Sequence, residues 1–553
     1  MELSGIRYAD GIRDGVQTAF GGLNHNYAAG DGELYDMTNL TGDFFPLLAT
    51  RQKRRKTGAL SDPGGIFSHD KLAWTDGTKF YFNGTEKGAV TQGAKTFVAI
   101  GAYLVILPDK KYYDTLTDSF GSMESKWSGA SLTFTNGTLY DEDATANCIR
   151  GAVDWRNYFR PGDAVTISGC TTHPENNKTP IIREILWDAD NQVGSMNFYE
   201  NVFTLDADDT PYTESGTLKI ERTVPDLIYA CENENRLWGS DGQRIYASKL
   251  GDIFNWNVFD GLDTDSWCWP ADEAGIVGGI TACVSFLGYP VFFKQDKIFK
   301  VYGNRPDNFQ AMGGAATGVM AGSGRSLAIA GETLYYLSTA GFMAYGGGLP
   351  RPIGQAFGLE RQKNAVAGSD GLKYYVSFQD ATNAWHMCVY DPTLNAWYKE
   401  DGTQAVGFAQ HEGNLYLLSA AGDILVTGTI LGTPGTAEAD FQWSAEFGDF
   451  TERSRKSPET GANKKGVSKI QIRLELDTGA SCTVYLRFDS TGDWIQAGET
   501  ITATQKRSFY LPIVPHRADH YRMKITGSGG CRIYSIGREF YSGSELKSLQ
   551  GRN

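Results

Sequence analysis

Five cations crowd into six residues at Arg51, Lys53, Arg54, Arg55 and Lys56, the densest run of charge in the chain. A run of this kind can stay solvated, pair with the chain's own acids, or meet a polyanion such as DNA with salt-sensitive, sequence-independent affinity. Acids for the second role are plentiful, since 65 Asp and Glu face 51 Lys and Arg for a net charge of −14. These five residues are the candidate contacts for DNA or an acidic partner. The most enzyme-like stretch runs from Asp260 to Glu273, with Asp263, Asp265 and Asp272 around Trp267 and Trp269. Paired carboxylates beside tryptophans can perform acid/base work on a stacked sugar. The same residues also read as an acidic loop with one tryptophan packed inward, and that is the reading adopted. As a calcium loop the stretch fails, because Trp267 and Cys268 occupy ligand and glycine positions.

The remaining candidates are weaker. Gly322-Ser323-Gly324-Arg325-Ser326 has the flavour of a phosphate loop, but Val319 stands where its first glycine belongs, and Arg325 replaces the lysine. His516 and His520 are four apart, yet Pro515 and Tyr521-Arg522-Met523 imply a turn entering a strand rather than a helix, so they are not expected to share a metal. The eight cysteines form no C-x-x-C pair and are read as buried thiols. No nucleophile elbow or Cys–His pairing appears. The expectation is a protein that is not an enzyme, with no catalytic residues, no cofactor and no metal.

The elements that would position these residues are strands. With 66 Gly, 28 Tyr and 29 Phe and almost no long helical periodicity, the composition points to an all-β chain of short strands and tight turns. A strand–turn–strand unit recurs. Gly331-Glu332-Thr333-Leu334-Tyr335-Tyr336-Leu337-Ser338 returns nearly unchanged as Gly413-Asn414-Leu415-Tyr416-Leu417-Leu418-Ser419, with Gly371-Leu372-Lys373-Tyr374-Tyr375 between them and Gly288-Tyr289-Pro290-Val291 upstream. The glycines at 288, 331, 371 and 413 are spaced by 43, 40 and 42 residues, the length a four-stranded propeller blade needs. Lys71–Phe82 and Asn235–Ala247 read as strand pairs around Asp-Gly turns, and Gly101–Leu107 as another strand.

The fold expected is therefore a six- to eight-bladed β-propeller over 61–127 and 223–435. Residues 128–222 interrupt it as an inserted small β-barrel-like domain, with strands from Phe159–Gly169, Ile181–Ile185 and Met196–Tyr199. Residues 440–545 alternate apolar and polar, as in Ile470–Leu476 and Cys482–Phe488, and read as a C-terminal β-sandwich with a polar face rich in Arg and Lys. Thr451–Lys465 reads as a basic loop or arm. Residues 1–60 are expected to be an extended segment contributing to the propeller and to subunit contacts. Met1–Arg7 lacks the apolar core of a secretory signal, and the longest apolar run, Phe97–Leu107, is too short to span a bilayer, so no membrane insertion is expected.

Asn235–Ser240 followed by Ile245–Asp252 and Asn255-Trp256 resembles a motif of tailed-bacteriophage propeller tail proteins. So do Ser326–Ala328 leading into Tyr335–Phe342, and the opening Gly22-Leu23-Asn24, Met37–Leu40 and Phe45–Arg51. The pattern covers most of residues 20–430 and is similar to the tail-stabilisation (tail accessory) and nozzle proteins of short-tailed phages. The resemblance implies a structural virion protein of the tail or neck, assembled in the bacterial host cytoplasm. It also implies a homo-oligomeric ring, expected to be a hexamer, at the head–tail connection beneath the phage portal and adaptor. That ring would extend or seal the DNA channel used in DNA ejection and dock other tail proteins, with non-specific contact to genomic DNA. Alternatives are a receptor- or glycan-binding tail-tip propeller and, further off, a propeller glycosidase.

Overall fold

The four glycines of the repeat each sit in the first turn of an antiparallel sheet, four-stranded for the first three and five-stranded for the last, with φ of 79°, 60°, 95° and 77° at Gly288, Gly331, Gly371 and Gly413. That region of φ carries a steric penalty for side chains with a Cβ, which is why glycine marks the repeat. The computed structural model describes residues 13–26, 32–137, 147–199, 201–271, 278–427, 433–450, 464–489, 491–502, 504–514 and 516–542. Met1–Arg7, most of the basic arm (with Arg453, Arg455 and Lys456), Asp272 and Glu273 lie outside them. The described chain is all-β: strands and short 3-10 turns, without an α-helix. None of its helical segments is long and apolar enough to cross a membrane.

Two compact units divide the chain, residues 62–324 and residues 1–61 with 325–553. The first unit holds four sheets in meander order, beginning at Pro63–His69, Thr96–Ile100, Tyr229–Asn233 and Ala282–Phe286. Successive sheets share apolar cores. Phe80 packs with Leu104 and Tyr113, Val105 with Leu237 and Trp256, and Trp238 with Phe292 and Phe299. Each sheet alone has a face it cannot bury, and stacking removes it from water.

The interruption between the second and third sheets runs from Ser125–Gly129 to Leu218–Arg222. It forms a three-stranded and a five-stranded sheet around one core that includes Trp155, Phe134, Met196 and Ile220. Its strands include Thr166–Ser168, Ile182–Asp188 and Val193–Phe198; the last two overlap Ile181–Ile185 and Met196–Tyr199 and extend beyond them.

The second unit holds three more meanders, beginning at Ala328–Ala330, Lys363–Ser369 and Ala405–His411. The last of these takes its fourth strand from Arg55–Ala59, which pairs with Asp423–Thr427. A sandwich completes the unit. One of its sheets is centred on Lys465–Leu476 and Cys531–Ser542, the other on Ser481–Phe488 and Tyr521–Ser528. Residues 13–50 are more deeply committed than an extended segment. Arg13–Gln17 and Leu48–Thr50 pair with Cys531–Ser542, and Leu34–Thr38 pairs with Gln442–Phe447, so the sandwich is built from both ends of the chain.

Candidate functional site

In the basic run, position within the extended chain decides which cations stay outside. Arg51 and Arg54 turn inward and are 6% and 3% exposed. Arg51 donates through Nε to Asn39 Oδ1 at 2.7 Å, pairs with Glu438 and with Asp401 at 3.5 Å, and lies over the Phe441 ring at 4.3 Å. Arg54 reaches Glu400 Oε2 at 2.5 Å and both Asp401 Oδ2 and Thr403 Oγ1 at 2.9 Å, while its backbone N–H donates to Glu438 at 2.8 Å. Burial works against the Arg54 charge, but Glu400 and Asp401 outweigh it and hold the guanidinium protonated well above its usual range. A cavity of about 40 Å³ beside the lock is bounded by Tyr375 and Tyr398.

The outer members of the run also have internal partners. Lys53 meets Asp440 at 2.6 Å, Lys56 meets Asp423 at 2.5 Å, and Arg55 donates to the Gly435 carbonyl at 2.5 Å. Lys53 and Lys56 remain exposed. The run's geometry thus matches the pairing with the chain's own acids that was one of its three readings. It fastens the opening motif, Met37–Leu40 and Phe45–Arg51, against the sixth and seventh meanders.

The acidic stretch is organised by a cation that sequence inspection did not single out. Arg236, 2% exposed, donates to the carbonyls of Ser248 at 2.9 Å and Asp263 at 2.8 Å and also reaches that of Asp265. Asp265 is buried and accepts from Leu262 N–H at 3.0 Å, whereas Asp263 is exposed and pairs with Arg305 at 3.2 Å. Trp267 and Trp269 are both half-buried, packing on Trp238 and Phe299. One carboxylate therefore caps a loop and the other faces water.

The rest of the resemblance motif also holds structure together. Asp252 caps Phe254 N–H at 2.8 Å and holds Asn255, whose side chain bonds Ala164 N–H at 3.0 Å and Asp163 at 3.1 Å at the base of the inserted domain. Asp163 in turn pairs with the buried Arg222.

Gly324–Ser326 is a single 3-10 turn. His516 stacks on Phe488, centroids 4.9 Å apart. His520 instead gathers with Asp519 and Asp489, ligand atoms within 4.8 Å of one another. That set was invisible in sequence, because Asp489 comes from a different turn; exposed groups of this kind are common without an ion. All eight cysteines are thiols, six of them buried.

Another cluster sequence did not reveal joins the N-terminal segment to the fifth and sixth meanders. His25 stacks on Tyr35 at 5.3 Å, and its Nδ1 lies 3.0 Å from Glu360. Its Nε2 faces Asp36 at 3.7 Å, an ion-pair distance too long for a hydrogen bond, and Asp36 also meets Lys399 at 3.1 Å. Asp36 and Glu360 raise the imidazole pKa to about 9 against the opposing effect of burial. Because the folded value exceeds the unfolded one near 6.5, this stabilisation is complete below pH 6.5 and fades as pH rises through 9. Both carboxylates are partly exposed, which cuts the contribution to about 1–2 kcal/mol. Urea unfolding of His25→Gln should trail the wild type by that amount at pH 6 and match it near pH 9.5.

Apolar side chains stand out at turns. Leu116, Leu349 and Leu372 are 85%, 84% and 77% exposed. Each lies in a turn joining the first to second or the third to fourth strand of its meander, turns that fall at one end of such a sheet. At that end of the third and fourth sheets a cleft of about 220 Å³ opens between Leu250, Leu287, Tyr289, Trp238 and Phe309. Tyr289 and Tyr302, centroids 5.0 Å apart, are partly exposed beside it.

No protein-family model matches the chain, and no curated protein does. Among solved structures, the computationally designed Ika8 protein is similar at 10% identity and a TM-score of 0.32, covering 68% of this chain and 100% of that one. BamB from Moraxella catarrhalis is similar at 12% identity and 0.31, covering 70% and 99%. An exo-beta-1,3-galactanase from Phanerochaete chrysosporium is similar at 8% identity and 0.22, covering 56% and 94%. At these scores the likenesses carry no argument about fold or function.

Proposed function

We propose that the chain is a structural subunit of a tailed-phage virion, whose ring at the neck or tail extends or seals the DNA channel and docks neighbouring tail proteins. In this reading the seven meanders are blades of one closed wheel. Arg55–Ala59, which precedes the first meander in the chain, supplies the fourth strand of the seventh, with Thr436–Ala437 outside it, and so fastens start to end. A closed wheel leaves no long sheet edge for uncontrolled pairing. The inserted domain and the sandwich then reach partners beyond it.

The observation that carries the reading is how polar and apolar chemistry are distributed. Buried charges neutralise one another as fasteners: Arg54 with Glu400, Lys95 with Asp109, Arg222 with Asp163. Large apolar side chains are instead presented at turn ends. Apolar side chains at such turns are surface that a neighbouring protein can cover, and heterologous contacts repeated by rotation close a ring.

Sedimentation velocity of the purified chain is expected to give a closed oligomer, six copies by the resemblance. Electron microscopy of purified phage particles is expected to place the subunit at the neck or along the tail. Labelling confined to the tail tip would favour host adsorption. A monomer that turns over polysaccharide and loses that activity in Asp263→Asn or Asp265→Asn would overturn the structural reading.

A further inference from the structure

We propose that the outer face of one sandwich sheet, carrying Lys469, Arg473, Lys506 and Arg532, is a contact surface for duplex DNA. The basic run that sequence offered for this role has Arg51 and Arg54 inside and its other members beside carboxylates or carbonyls. The four sandwich cations are arranged differently. All are exposed, and none is in an ion pair among the described residues. They are steadied by groups that leave the charge intact: Lys469 lies 4.2 Å over the Tyr510 ring, Lys506 3.8 Å over Tyr534 and Arg532 4.7 Å over Phe44, while Arg473 donates to Ser508 Oγ at 3.1 Å. Among the residues whose side chains are described, two acids share the face, and each accepts from a hydroxyl: Glu475 from Tyr534 at 2.8 Å and Glu539 from Ser468 at 2.9 Å. A preorganised, net-positive face on a chain of charge −14 is a local exception.

Register decides the shape of this face. Along Lys465–Leu476, buried Ile470, Ile472 and Leu474 alternate with outward Lys469, Arg473 and Glu475. In strand register Glu475 stands opposite Arg532, and Leu474 opposite Arg507, the residue after Lys506. The cations therefore follow one strand over six residue steps, about 20 Å. A 20 Å length of duplex DNA carries about twelve phosphates. Each ring carries one of the protein's own cations over a face, with Tyr510 still 60% exposed, and the four charges spread over this length face the dense phosphates of a duplex. The inference leans on the virion reading only for where such DNA comes from.

The test is fluorescence anisotropy of a random-sequence duplex with the full chain across a salt series. Four phosphate contacts predict a log–log slope of about −3.6, so affinity falls about 150-fold from 50 to 200 mM salt. Arg473→Ala with Lys506→Ala should halve the slope and reduce the fall to about 12-fold, with an unchanged melting temperature because both side chains are exposed. Lys53→Ala with Lys56→Ala should leave the slope alone. Absence of binding at 50 mM salt, loss of slope only in the Lys53/Lys56 variant, or tenfold tighter binding of an acidic polysaccharide of matched charge would each overturn the proposal. Mass spectrometry of purified particles separates the two readings. A subunit found in the virion that ignores DNA removes this inference alone; one that binds DNA yet is absent from particles removes the virion role alone.

Discussion

Arg54→Ala should lower unfolding free energy by about 3–5 kcal/mol, the cost of leaving buried carboxylates without their cation. The guanidinium bridges Glu400, Asp401 and Thr403, and Glu400 is only 9% exposed. Removing the cation strands Glu400 away from water, while Arg51 still reaches Asp401 at 3.5 Å. The loss should appear in urea unfolding and as earlier proteolysis of residues 13–60, whose strands the lock holds against the meanders. Arg54→Lys should fall between, since an ammonium lacks the planar fork that meets three acceptors. Arg54→Met with Glu400→Leu should recover more than half, because a buried pair replaced whole by apolar groups is often neutral. Lys53→Ala, which touches an exposed pair, should change stability by less than about 1 kcal/mol. An Arg54→Ala protein as stable as wild type would remove the lock from any structural role.

Trp155→Ala is the second large effect, about 3–5 kcal/mol, and its signature is locality. Trp155 is fully buried at the centre of the inserted domain, 5.0 Å from Trp127 and 6.4 Å from Phe159, with Nε1 donating to Gly194 O at 3.3 Å. The inserted domain has a core of its own, so the variant should open that module first and leave the meanders folded. Hydrogen exchange should show protection lost across 125–222 and retained in the strands from Tyr229 onward. If the subunit closes a ring through its wheel, the variant should still assemble. Uniform loss of protection throughout residues 62–324 would mean that the inserted domain and its neighbours fold as one unit.

Local chemistry in this chain is visible residue by residue. Gly288, Gly331, Gly371 and Gly413 announce a turn because only glycine adopts their φ without penalty, and the spacing between them is set by four strands and their turns. Alternation in Ile470–Leu476 announces a half-buried strand in the same way. The excess length between two recognisable repeats was likewise legible, and it falls where the three- and five-stranded sheets with their own core lie.

What stayed hidden was every pairing between distant residues. The basic run looked like a surface for polyanions because nothing in Arg51–Lys56 says that Glu400, Asp401 and Glu438 will close over it from some 350 to 390 positions away. His25 meets Glu360 from 335 positions away, and Asp489 meets His520 from a separate turn. Strand type and turn position are properties of short stretches, governed by φ, ψ and side-chain alternation. The fate of a charge depends on which other charges tertiary folding brings within a few ångströms and out of water. By itself, then, the sequence determined the all-β class and the glycine turns of the repeat. Only the tertiary structure decided that Arg54 is a fastener and that the face around Lys469 and Arg532 keeps its charge exposed, because Coulomb energy follows distance and solvent exposure, and chain order specifies neither.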